Sequence, residues 1–178
     1  MVGERARRGF ARGPDTSVRL IAMNFDRVSD FLRALEQESV EYVLVGGIAI
    51  NLNGITRATQ DVDIVVRLDE GNVERLKRAL RSVWNDPAID EIHYDDLAGE
   101  YPAITYGPPG EVFGIDIVAR FGEAFRYEDL QATMTEWQGV KVQLATPQTL
   151  YRMKKDTVRP IDRMDAALLQ ERFGTKDE

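Results

Sequence analysis

The chain has 178 residues, enough for one domain with at most a short appendage. Acids outnumber bases 30 to 23, a formal charge of -7, which argues against coating nucleic acid by bulk electrostatics but leaves room for a local basic patch. There is no cysteine, and His93 is the single histidine, so disulfide scaffolds, thiolate metal sites and a histidine zinc cluster are excluded; any metal should be a hard cation held by carboxylates.

Residues 1–23 read as a disordered basic arm. Arg5, Arg7, Arg8, Arg12 and Arg19 face only Glu4 and Asp15, and Gly3, Gly9, Gly13 and Pro14 break any periodicity. No apolar stretch follows the arginines, so the arm does not read as a secretory signal, and no apolar run is long enough to span a membrane. The expected location is cytoplasmic.

Order is expected from Asn24, an N-cap, followed by Phe25, Val28, Phe31, Leu32 and Leu35 at helical spacing. Residues 41–45 predict a buried strand ended by Gly46-Gly47, and 48–53 a short helix stopped by Gly54. Residues 61–66 predict a second strand. Val73, Leu76, Leu80, Val83 and Trp84 mark a helix face, with Asp69 or Asn72 as its cap. Residues 85–101 are acidic and irregular, with a short helix near Ala88. Strands follow at 102–106 and 112–118, joined through the turn Gly107-Pro-Pro-Gly110, and a hairpin at 134–144 turns on Gly139. Thr146-Pro147 opens a helix carrying Leu150, Met153 and Thr157 on one face. Pro160 opens the last, with Ile161, Met164, Leu168, Leu169 and Phe173 expected inward and Gly174 as its stop. The class is α/β (α+β): a mixed sheet flanked by helices, with a core over 24–145 and C-terminal helices over 146–178.

Asp61 and Asp63 stand two apart on a strand, so both carboxylates leave one face. Held that close, they repel unless a cation lies between them or they sit exposed at the strand start. Gly46-Gly47, between a strand and a helix, either lets a phosphate approach the backbone or is simply a turn. Asp116 is a lone carboxylate in an apolar strand and needs a partner: an arginine such as Arg57 or Arg120, or the cation of the Asp61–Asp63 pair. Arg57 and Thr59 suit a triphosphate or ordinary loop bonding. Lys154 reads equally as a phosphate contact or a solvated helix lysine. Asp162 and Asp165, one turn apart, read as a helix-surface salt-bridge set, with orientation of Lys154 or Arg159 as the alternative. Tyr94, Tyr101 and Tyr106 offer rings for stacking on a base, with nothing to single one out.

Val45-Gly46-Gly47, thirteen further residues, and then Asp61-Val-Asp63 resemble the signature of the polymerase-β-type nucleotidyltransferase superfamily. Asp116 fits the third carboxylate of that family. The string Tyr42-Val-Leu-Val-Gly-Gly-Ile-Ala49 with Gly54, Arg57 and Thr59, and later Leu150-Tyr-Arg-Met-Lys154, Arg159-Pro160 and Asp162, is most similar to the branch of AbiEii-type toxins and their small relatives. The chain departs from those toxins in stopping soon after Leu168, without their longer helical C-terminal region.

The resemblance implies transfer of an NMP group from an NTP to a hydroxyl of RNA, such as a tRNA 3′ end, or of a protein. It implies two Mg2+ ions, or Mn2+, held by Asp61, Asp63 and Asp116. Asp116 would also take the acceptor's proton. Gly46, Gly47, Arg57 and Thr59 would hold the phosphates, and Lys154 would offset their charge. It further implies a toxin role with a cognate antitoxin partner. The alternative is a catalytically idle member of the fold acting as a binding partner or antitoxin. Arg152, Lys154, Lys155, Arg159 and Arg163 supply a local basic cluster for an RNA end.

Overall fold

A computed structural model describes residues 23–122 and 124–176; the expected basic arm lies outside the described residues except for Met23. Helix α1 (Phe25–Gln37) starts where expected, with the Asn24 side chain accepting bonds from the N–H groups of Asp26 and Arg27. Val28, Phe31, Leu32 and Leu35 are fully buried beneath it. Strand β1 (Tyr42–Val45) runs straight into helix α2 (Gly46–Leu52), which begins at the glycine pair rather than at Ile48. Strand β2 (Asp61–Val66) and helix α3 (Glu70–Val83) follow. A 3-10 turn (Pro87–Glu91) and short helix α4 (Tyr94–Ala98) lead to strands β3 (Ala103–Tyr106) and β4 (Gly114–Val118).

A small hairpin, β5 (Arg120–Phe121) and β6 (Phe125–Arg126), forms where periodicity predicts nothing. Strands β7 (Ala132–Trp137) and β8 (Val140–Ala145) make the expected second hairpin. Helices α5 (Pro147–Lys154) and α6 (Pro160–Phe173) close the chain, and Thr157 lies past the end of α5. No described helix is long and apolar enough to cross a membrane.

Six strands form one mixed sheet in the order β3-β4-β2-β1-β8-β7. β1 runs antiparallel to β2 and parallel to β8, and β2 runs parallel to β4. The chain leaves β2 through α3 and α4 to β3 at the sheet edge, and the turn after β3 brings β4, antiparallel to β3, back alongside β2 in the same direction as β2. Trp84 is not part of α3. Its backbone is extended, and its ring fills the core against Phe31, Tyr106 and Phe113 with the Arg27 guanidinium above it.

Helix α6 reverses the expected orientation. Ile161, Met164, Leu168 and Phe173 are exposed, whereas Asp162 and Asp165 are buried beside Ala166 and Leu169. The acids turn inward because they meet buried cations there, described below.

Asp69 is the cap of α3, accepting from the N–H of Asn72. Asn72 does a different task. Its side chain accepts from Glu41 N–H at 2.8 Å and donates to the carbonyls of Glu41 and Arg67 at 2.9 Å each. These are the residues flanking the β1–β2 pair, so one buried amide clamps the pair's open end to α3. Asn72→Leu should leave those backbone groups unsatisfied and cost about 2–4 kcal/mol, measured by urea unfolding; a cost under about 1 kcal/mol would refute the clamp.

Candidate active site

The register of β2 and β4 sets Asp63 opposite Asp116 and Asp61 opposite Gly114. Paired residues of neighbouring strands point the same way, so all three carboxylates leave one face. The opposite face carries Val62, Ile64, Ile115 and Ile117, all fully buried. The acids therefore stand at one end of the sheet with the core directly behind them. Asp61 accepts a bond from the N–H of Gly114 at 3.3 Å. Asp116 accepts a 2.6 Å bond from the hydroxyl of Thr105, its register partner on β3. Sequence reading missed Thr105; only the pairing of β3 with β4 reveals it.

Asp63 carries a strongly perturbed carboxyl. Burial, then the charges of Asp116 and Asp61, push its carboxyl up to about 6, against the pull of Lys154 and Arg57. Gly46 explains how the backbone comes so close. Its φ is +68°, and a Cβ there would overlap the Asp63 carboxylate. A Cβ on Gly47 would overlap the Arg57 guanidinium and the Thr59 hydroxyl. The first turn of α2 is thus wedged between an acid and a cation. The Asn51 side chain holds Arg57 in place, accepting from its N–H at 2.7 Å and donating to its carbonyl at 2.9 Å. Thr59 donates to the carbonyl of Asp61 at 3.2 Å.

The C-terminal helices supply the countercharge. Lys154 is buried and lies 2.6 Å from Asp162 and 2.9 Å from Asp165. Arg57 Nε lies 3.2 Å from the other oxygen of Asp165. One carboxylate, 2% exposed, therefore joins the loop after α2 to the end of α5. Thr157 donates to Asp162 at 3.1 Å, and Arg159 stands 3.7 Å from it. Burial opposes the charge of Asp162, but the bonds from Lys154 and Thr157 hold its carboxyl below the usual range. The reading of Asp162 and Asp165 as a surface salt-bridge set is corrected: both are interior. The solvated reading of Lys154 fails for the same reason.

Gly46, Gly47, Arg57, Thr59, Asp61, Asp63, Asp116 and Lys154 all line one cavity of about 370 Å³. Among the described residues, no three acidic or histidine side chains converge as a ready-made metal group. Asp61 and Asp116 are each turned toward a protein donor. The donor set nevertheless suits a hard divalent cation: carboxylate oxygens on one face, with repulsion on Asp63 that a cation would relieve.

No protein-family profile matches the chain, and no curated protein does. Several solved structures are similar to it, among them three with a TM-score of 0.49 each. The antibiotic-resistance factor ANT(2'')-Ia in solution is 15% identical, over 82% of this chain and 82% of that one. The same factor crystallised with adenylyl-2''-tobramycin is 14% identical, over 83% and 89%. An antigenic nucleotidyltransferase-like protein from Paracoccidioides brasiliensis is 16% identical, over 84% and 78%.

A raised carboxyl favours folding while protonated and loses that advantage as pH rises through about 6. Asp63→Asn should therefore melt higher than the parent at pH 7.5 without divalent cations, with the difference closing toward pH 4, followed by calorimetry. A difference independent of pH would refute the charge origin. Asp165→Ala leaves the partly buried Arg57 without its carboxylate and Lys154 with Asp162 alone, and should cost about 3 kcal/mol. The exposed Arg78–Glu38 pair, 2.8 Å apart, should be worth under about 1 kcal/mol in the same unfolding assay.

Proposed function

We propose that the chain is a magnesium-dependent nucleotidyltransferase that moves an NMP group from an NTP to a hydroxyl of RNA, such as a tRNA 3′ end, or of a protein, and that it serves as the toxin of a toxin–antitoxin pair. The observation that carries the transferase reading is the seating of Gly46 against Asp63. It brings a side-chain-free stretch of backbone to the edge of a three-carboxylate face, with Arg57 and Lys154 opposite. A phosphate chain needs close-approaching N–H groups and cations, and the transferred group needs hard oxygens nearby.

In this reading Asp61, Asp63 and Asp116 would hold magnesium, which would supply stabilisation of the charge that develops on the reacting oxygens. The acceptor hydroxyl forms a new bond to the α-phosphorus, the α–β bridging bond breaks, and pyrophosphate departs with that electron pair. Asp116 receives the hydroxyl proton, and Thr105 keeps its carboxylate aimed. The N–H groups of Gly46 and Gly47, with Arg57 and Thr59, bind the β- and γ-phosphates. Lys154 offsets the charge that grows on pyrophosphate.

Incubation with each labelled NTP, Mg2+ or Mn2+, and total RNA or cell lysate should transfer label to RNA or protein. Asp116→Asn should lower the rate by about 10²–10⁴-fold, the usual range for loss of a general base. No transfer with any NTP would overturn the enzymatic reading. A tight protein complex that survives Asp63→Ala would instead mark an idle binding partner.

A further inference from the structure

Beside the polar cavity lies a second one of about 230 Å³, with a different character. Val45, Phe121, Leu150 and Met153 give it apolar walls. The two cavities share Gly46, Asp63, Lys154, Arg159 and Asp162, so they are the two ends of one cleft. One end presents backbone, cations and carboxylates; the other presents an aromatic ring, a thioether and two aliphatic side chains. A ligand that fills both must be charged at one end and flat and apolar at the other. Small-molecule sites of this kind, apolar with a few polar anchors, commonly span about 300–1,000 Å³, more than the apolar end provides alone.

We propose that the second cavity takes the nucleobase of the bound nucleotide, with Phe121 and Met153 as its contacts. This rests on the nucleotidyltransferase reading and fixes which way the nucleotide lies: phosphates toward Gly47 and Arg57, base toward the β5–β6 hairpin. Phe121 belongs to that hairpin, pairing with Phe125 across it. The hairpin is tied to α5, because the Arg152 guanidinium lies over the Phe125 ring at 5.7 Å. Phe121 is 38% exposed on the cavity wall, which leaves its ring open to a ligand there. Bases of any kind stack on such a ring, since all have a π-face. Thr157 and Arg159, also on the cavity wall, supply polar atoms for the base edge.

The test compares binding of the four NTPs and of inorganic tripolyphosphate, with Mg2+, by titration calorimetry on the full chain. Phe121→Ala and Met153→Ala should each weaken the preferred NTP, about tenfold for Phe121, and leave tripolyphosphate within about twofold. Phe121→Trp should keep NTP affinity. Phe121→Ala should barely move the melting temperature, since Phe121 lies outside the core, whereas Met153 packs partly against it and its variant is judged by the tripolyphosphate control. The proposal is overturned if the parent binds NTP no more tightly than tripolyphosphate. It is also overturned if the substitutions weaken both ligands alike or neither. Label transfer is read separately. Base-dependent binding without transfer keeps the pocket and removes the enzyme; transfer with unchanged affinities keeps the enzyme and removes the pocket.

Discussion

Asp63 sits where burial and two neighbouring carboxylates all oppose its charge, and the surrounding structure is arranged around that opposition. Its backbone position is fixed by β2 between β1 and β4, so it has no freedom to move away from Asp116. Relief comes only from cations reached across the cleft, Lys154 on α5 and Arg57 on the loop before β2. Neither would be stably buried alone. Each needs its own partner, and Asp165 serves both. The sheet's acids, the loop's arginine and the last two helices thus form one electrostatic unit. Removing Lys154 leaves Asp162 and Asp165 without their shared cation, whereas neutralising an acid of the sheet relieves repulsion.

That unit explains why α6 is built against hydrophobic expectation. A helix with apolar residues at 161, 164, 168 and 173 normally turns them inward. Here the inward positions must carry Asp162 and Asp165, and the helix has one rotation about its axis to give. An unpaired buried lysine and arginine cost more than a few exposed aliphatic groups, so the acids take the interior. Leu169 and Ala166 still pack beneath the helix and keep it attached.

Much of the site was legible because strand periodicity is strict. Two aspartates at spacing two on an apolar strand share a face whatever else the chain does, and the structure keeps that relation. From its own strand Asp116 reads as an acid in need of a partner, with the Asp61–Asp63 cation or an arginine as candidates, and the family resemblance makes it the third carboxylate. Its place beside Asp63 depends on β4 returning parallel to β2, a long-range pairing that no local pattern encodes. Thr105 was invisible for the same reason. Asp165 was misread because helical spacing counts apolar residues and takes acids as the outer face; nothing local says that Lys154 and Arg57 will be buried opposite it. The β5–β6 hairpin has strands of two residues each, too short for any period to register. Apart from the short helix α4, which the acidic stretch before β3 does not announce, the main helices and strands were recovered to within a few residues, since caps such as Asn24 and Thr146 and stops such as Gly174 act locally.

Counting charge along the sequence also misleads about the cleft itself. The bases of residues 150–163 appear as a patch free to attract a polyanion. Lys154 is spent on Asp162 and Asp165, Arg159 lies beside Asp162, and Lys155 lies 3.9 Å from Asp156. Around the polar cavity, Asp61, Asp63, Asp116 and Asp162 face only Arg57, Lys154 and Arg159. With every group ionised the wall is net negative; protonating Asp63 merely brings it to balance. Residues 85–101, which approach the edge strand β3, add six acids and no lysine or arginine. A bare triphosphate would gain little from such a surface, because attraction to three cations is offset by repulsion from four acids. Under the proposed function, the nucleotide must therefore bring cations with it, and its affinity must depend on them more steeply than on any single basic residue of the cleft.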